Sequence, residues 1–157
     1  MNAAIIQIIT GAIGSLGFAL IAHIRVKHLA VATLGGMLSW LLFLPGYMMT
    51  GDVFLPNLFS TMAIYAWSEI MARVKKAPVT VFLVPGILPL LPGSSLYYAM
   101  QALMAGQMEL FQHNTVTLIL VTLGISCGIV GASVLFTYCI KTLTRIKMIR
   151  ASRKSRK

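Results

Sequence analysis

The chain has 157 residues, of which 58% are hydrophobic before its 13 Gly are counted and only 10% are charged. A water-soluble domain of this length carries about 45–50% apolar residues with Gly included and about 25% charged residues, so a soluble globular fold is excluded, and so is a disordered chain. Two Cys, at 127 and 139, are too few for a disulfide scaffold, which leaves a polytopic, all-α integral membrane protein.

A hydrocarbon core about 30 Å thick is crossed by roughly 20 apolar residues at helical rise. Five stretches of that kind occur in chain order. Ala3 to Ile24 is free of charge and is followed by Arg25, Lys27 and His28. No Lys or Arg precedes it, which is the wrong polarity for a cleaved signal peptide, so it is expected to stay as a span. Leu29 to Met49 ends at the turn-like Thr50-Gly51-Asp52. Val53 to Met71 carries one charge, Glu69, and is closed by Arg73, Lys75 and Lys76. Ala77 to Met108 is too long for one straight helix and is interrupted by Pro78, Pro85, Pro89 and Pro92. Thr115 to Ile140 is the fifth, after a polar connection with Glu109, Gln112, His113 and Asn114.

Charge fixes the expected topology, because Lys and Arg collect on cytoplasmic connections. All thirteen fall in the connection at 25–28, in the one at 72–76, or in the tail from Lys141. The expectation is five transmembrane helices, the N-terminus outside and the C-terminus cytoplasmic, in one membrane domain at 1–140 with a basic tail at 141–157. The tail lacks interleaved aromatics and reads as a topology anchor attracted to anionic lipid headgroups, with no nucleic-acid partner.

Between helices in lipid, small residues mark the faces of close approach. Gly11, Gly14 and Gly17 repeat in the first stretch, Gly35 and Gly36 sit in the second, and Gly124, Gly128 and Gly131 in the fifth. They serve packing within the chain, with a partner, or with a second copy in a homo-oligomer. Cys127 and Cys139 read as small packing residues, and Trp40, Tyr47 and Trp67 as interface anchors.

Chemistry concentrates at 84–95, Val-Pro-Gly-Ile-Leu-Pro-Leu-Leu-Pro-Gly-Ser-Ser. Pro85, Pro89 and Pro92 each remove a backbone donor, and with Gly86 and Gly93 they forbid a regular helix. Unpaired backbone at membrane depth is tolerated inside protein or beside a watery cavity. With entry near Pro78, residues 85–93 lie roughly 10–22 Å along the span, around the bilayer middle, as at the binding sites of secondary transporters. A half-helix starting near Ser94 would aim free N–H groups and partial positive charge at a substrate carboxylate, with Ser94 and Ser95 capping it or sharing the anion. Tyr97, Tyr98 and Gln101 add polar groups further out. The plain alternative is a Pro-kinked packing helix with no ligand.

Glu69 is the only carboxylate within an apolar stretch, a default candidate for proton coupling. Arg73 lies four residues on, on the same helix face, and an edge ion pair is the favoured reading. No nucleophile with its base, phosphate loop or metal-ligand spacing is present, so the sequence does not read as an enzyme and calls for no cofactor or metal.

The run Ala77 to Gly93, with its Pro-Gly-Ile-x-Pro-Leu-x-Pro-Gly core at 85–93 followed by Tyr97, resembles the threonine/serine exporter family, in particular its short, separately encoded membrane subunit. Ser68-Glu69, Ala72-Arg73 and Pro78 fit as well. The resemblance implies proton-driven export of threonine, serine or related small acids across a bacterial cytoplasmic membrane, together with a larger partner membrane subunit. Some members resemble dicarboxylate (succinate) exporters. It directs attention to Pro85, Gly86, Pro89, Pro92, Gly93, Ser94, Ser95 and Tyr97 as the substrate site. An odd number of spans also allows a related partner to insert in the opposite sense. A structural subunit without substrate contact and a homo-oligomeric passive channel are the competing readings.

Overall fold

A computed structural model describes residues 2–155, and the side chains of residues 4–139. Six α-helices follow one another: α1 (Asn2–Ile21), α2 (Val26–Thr50), α3 (Phe54–Lys75), α4 (Thr80–Ile87), α5 (Gly93–Met104) and α6 (Met108–Ser155), with a 3-10 turn at Leu88–Leu90 between α4 and α5. No strand occurs among the described residues. The side chains of the basic tail expected at 141–157 lie outside the described ones.

Three helices are long and apolar enough to cross a membrane by themselves, α1 over Ala4–Ile21, α2, and α6 over Met108–Cys139. A fourth crossing is available if α4 and α5, bent by 47° at their break, act as one broken span. Proline chemistry dictates that break: three prolines between 85 and 92 remove donors from the ladder, and the chain turns extended at Leu91 before α5 begins.

α3 has the length of a span but not the apolarity, and its burial pattern gives the reason. Asn57, Ser60, Thr61, Ile64, Ser68 and Ala72 are buried along one face, while Leu55, Phe59, Ile70 and Val74 are exposed. The helix is polar inward and greasy outward, the reverse of a water-soluble amphipathic helix.

The turns are built as their residues require. Gly51 takes φ 66°, and the Asp52 carboxylate accepts from the N–H groups of Val53 (2.7 Å) and Phe54 (3.3 Å), which starts α3. Lys76 closes α3 in the left-handed region, its N–H donating to the Ala72 carbonyl.

Glycines then set the contacts. A Cβ at Gly124 would lie 2.8 Å from the Phe54 carbonyl oxygen and one at Gly128 2.8 Å from that of Leu58, so α3 and α6 meet backbone to backbone. Gly36 lies against Ser15, and Gly35 against Gly86, where a Cβ on Gly35 would sit 3.5 Å from the Gly86 Cα. Gly11 faces Trp40, whereas Gly14, Gly17 and Gly131 have no such neighbour within 4 Å. Two expectations fail here. Cys127 and Cys139 are exposed and do not pack inward. Trp67 is partly buried against Gly35, its indole N–H shielded from solvent and without a partner, so it is no interface anchor.

Ser15 resolves a defect that proline creates. Pro89 has no N–H to offer the carbonyl of Pro85 four residues earlier, and the Ser15 hydroxyl donates to that oxygen instead, at 2.9 Å in a buried site. The bond ties α1 to α4 across the Gly36 backbone of α2.

Candidate functional site

The break between α4 and α5 borders a cavity of about 230 Å³. Pro89, Leu90, Leu91 and Pro92 supply one wall, and Ser94 and Ser95 the first turn of α5. Trp40, Phe43 and Tyr47 come from α2, Val53 and Asn57 from the start of α3, and Thr117 and Val121 from α6. Leu90, Val121 and Ile125 form a small apolar cluster there, with Phe43, Val53 and Ile129 packed on it.

Its depth differs from the expected one. The lining runs from Trp40, past the middle of α2, to Val53, which adjoins the Asp52 turn. The cavity is therefore displaced from the middle of the bundle toward the end that carries Asp52.

Two sets of unmet hydrogen-bonding groups belong to this cavity. Gly93 N–H donates to the Leu91 carbonyl at 2.8 Å, but the N–H groups of Ser94 and Ser95 stand in the first turn, where an α-helix offers no acceptor. No side chain caps this helix start, which puts the partial positive end of α5 at the cavity. Opposite in chemistry is Asn57. Its amide donates to the Val53 carbonyl at 2.7 Å, while its Oδ1 is buried with no donor. A buried, unpaired acceptor carries a desolvation penalty of about 1–3 kcal/mol; this oxygen is closed to solvent, and a donor in the cavity would meet it only by a shift of the Asn57 side chain.

The family model described as Threonine/Serine exporter, ThrE matches residues 7–135. The chain belongs to the threonine/serine exporter family. No curated protein and no solved structure matches it. The match takes in every element that lines the cavity. It supports a membrane protein of amino-acid export, with several spans, and a transporter in preference to an enzyme.

In this exporter-family chain the residues singled out from sequence divide into two groups. Pro89, Pro92, Ser94 and Ser95 line the cavity. Pro85 and Gly86 are buried one turn earlier in packing contacts, Pro85 through its carbonyl to Ser15 and Gly86 against Gly35, with a Cβ on Gly86 only 2.7 Å from Ile64. Gly93 opens α5 with free space around its Cβ position and does not line the cavity. Tyr97 is 65% exposed, edge-on to Tyr98 at 5.4 Å, and points away from the cavity lining.

Glu69 and Arg73 are joined, Arg73 Nη1 donating to Glu69 Oε2 at 2.6 Å and to the Glu69 carbonyl at 2.8 Å. The Tyr65 hydroxyl donates to Glu69 Oε1 at 3.2 Å, and the guanidinium lies 5.6 Å over the Phe136 ring of α6. Because the Arg73 side chain is 50% exposed, screening limits this pair to about 1 kcal/mol or less. Glu69→Gln is accordingly expected to shift the melting temperature by only a few degrees and to leave export within about twofold. Efflux from vesicles with and without an imposed proton gradient checks this, and loss of a gradient-dependent part in a folded Glu69→Gln protein would make Glu69 a proton carrier.

Sequence reading missed Asn57, Trp40, Thr117 and Ser15. A signal for Asn57 was present: Asn57, Ser60, Thr61 and Ser68 recur at helical spacing in an otherwise apolar stretch, which in lipid marks an inward face. Among the described residues, no group of three or more His, Cys, Asp or Glu side chains is gathered in a way that holds a metal.

Proposed function

We propose that the chain is the membrane subunit of a proton-coupled exporter of threonine, serine or a similar small amino acid, and that the cavity at the α4–α5 break is its substrate site. The observation that carries this reading is the pairing of opposite hydrogen-bonding needs in one small cavity. The first-turn N–H groups of Ser94 and Ser95 suit a carboxylate. The unpaired Oδ1 of Asn57 suits an ammonium or hydroxyl donor. A cavity of about 230 Å³ is below the usual range for drug-sized ligands and is matched to a small amino acid.

In this reading α3 crosses the membrane beside the other helices, its polar face shielded by α6, and with the broken α4–α5 span the total is five. Five spans place the N-terminus outside and the cationic connections and tail in the cytoplasm of a bacterial cell, in accord with the charge distribution. Proton coupling and a larger partner membrane subunit enter from the family resemblance, and the odd span number agrees with a partner inserted in the opposite sense.

Radiolabelled efflux from cells with and without the chain, for threonine and succinate side by side, tests the proposal. Threonine efflux that depends on the chain and collapses with the proton gradient is the expected result. Efflux of succinate alone would reassign the substrate to a dicarboxylate, which has no donor for Asn57. Flux of either compound without proton dependence would make the protein a passive channel, and unchanged substrate preference in Ser94→Ala, Ser95→Ala and Tyr97→Phe, with the complex broken by Gly128→Leu, would make it a structural subunit.

A further inference from the structure

The opposite end of the bundle holds a second recess that the transport reading does not use. A cleft of about 380 Å³ opens between the α1–α2 connection and the α3–α4 connection. Arg25, Lys27 and Lys76 line it, together with His23 and His28. No carboxylate takes part in the lining. The ion pair found among the described side chains joins Arg73 to Glu69, and Asp52 and Glu109 stand at the far ends of α2 and α5. These cations therefore share the cleft with no carboxylate among the described side chains to neutralise them.

Backbone geometry adds little to this field. α2 begins at Val26 and α4 at Thr80, both starts are without a side-chain cap, and both open at the cleft. The N–H groups of His28, Val81 and Phe82 are already taken by the carbonyls of Arg25, Pro78 and Val79, and the ends of α1 and α3 lie at the same cleft, so the three side-chain cations set its field. His28 forms part of the wall at 6% exposure, its Nδ1 without a partner and its ring edge-on to Phe82 at 5.5 Å. Ala77, Pro78 and Val81 give the recess an apolar side. Ile21 and Val26, immediately beside it, are apolar and strongly exposed, at 78% and 84%.

A dissolved anion would need only the cations. The combination of a cationic recess with a strongly exposed apolar flank fits a molecule that carries a phosphate at one end and acyl chains at the other. We propose that this cleft binds the phosphate headgroup of an anionic phospholipid, with the acyl chains along the α1 surface at Ile21. The site is built by folding, from two connections far apart in sequence, and is separate from any attraction of the C-terminal tail to the membrane. Recesses of this kind between membrane helices are established headgroup sites in general terms.

The test uses the full chain, extracted in mild detergent with any subunit that accompanies it. Phosphatidylglycerol or phosphatidylcholine is added in mixed micelles, and the lipid retained per chain is read by native mass spectrometry. Preference for phosphatidylglycerol by about tenfold or more is expected, unaltered by millimolar inorganic phosphate. The triple variant Arg25→Gln, Lys27→Gln, Lys76→Gln should lose the preference, whereas Arg153→Gln, Lys154→Gln, Arg156→Gln, Lys157→Gln should keep it. Retention by the triple variant, loss by the tail variant, or displacement by inorganic phosphate would each overturn the site. Should the triple variant misfold, Lys27→Gln alone is expected to weaken retention about fivefold, and unchanged retention in it overturns the site equally.

Discussion

Gly128→Leu is expected to abolish export by parting α6 from α3. A Cβ at this position would lie 2.8 Å from the Leu58 carbonyl oxygen and 2.8 Å from the Thr61 Cβ. Both are fixed by the α3 backbone, so no rotamer change makes room, and leucine adds three more carbons to the collision. Overpacking by single methylenes already costs about 1–3 kcal/mol, and close approach at small residues is the chief source of helix association in lipid. Without the seam, the face of Asn57, Ser60, Thr61 and Ser68 would meet hydrocarbon, where unpaired polar groups are costly. The outcome is read as loss of folded protein from the membrane and a broadened profile on size-exclusion chromatography. Gly131→Leu is the matched control, since nothing stands within 4 Å of its Cβ position, and it should be tolerated. Equal behaviour of the two variants would show that the α3–α6 contact does not depend on glycine.

Asn57→Leu is expected to cut amino-acid export about ten- to a hundredfold with the fold intact. Leucine keeps the branching at Cγ, although its two methyl groups are bulkier than the amide, and the bond it removes, from the amide to the Val53 carbonyl, is local to one helical turn. What it also removes is the unpaired Oδ1 at the cavity wall. A hydrogen bond to a charged donor such as an α-ammonium contributes about 1.5–3 kcal/mol, which is the stated factor in affinity. Thermal stability should change little, because deletion of a buried acceptor that lacks a partner offsets the crowding by the larger methyl groups. Concentration-dependent efflux separates the cases: a raised half-saturation constant with stable protein is the expected result. Unchanged amino-acid export would take Asn57 out of the site, and an equal loss for succinate would show that Asn57 shapes the cavity without reading the ammonium.

What could be read in the amino-acid order is what local chemistry decides. The interruption near Pro85 to Gly93 follows from missing donors, and a close-packed face on α6 from glycines one turn apart, though the helix it meets was not legible. The Glu69–Arg73 pair follows from spacing on one helix face. The stretch from Val53 to Met71 reads as a span because it carries one charge only, whereas α3 is not apolar enough to pass for one by itself, because its buried polar face dilutes its exposed apolar one. The cavity's other walls could not be read, since Trp40, Asn57 and Thr117 lie on three helices and meet the break only through the packing of all of them. The same holds for the basic cleft: its charges were legible as an orientation signal, whereas their convergence depends on two connections folding together.

The bend at Leu91 and Pro92 separates more than two short helices. α4 is fastened to α1 by the Ser15 bond and to α2 at the Gly35–Gly86 contact, while the main partner of α5 is α6. Mechanical continuity stops where the hydrogen-bond ladder stops. The chain passes at that point from one packed group of helices to another, through two residues, Leu91 and Pro92, that belong to neither helix. A tilt of α5 at this joint would carry α6 with it and, through the glycine seam, α3 as well, and would change the width of the cavity without breaking a helix. The proline spacing that denies this segment a regular helix thereby leaves a joint between the two groups.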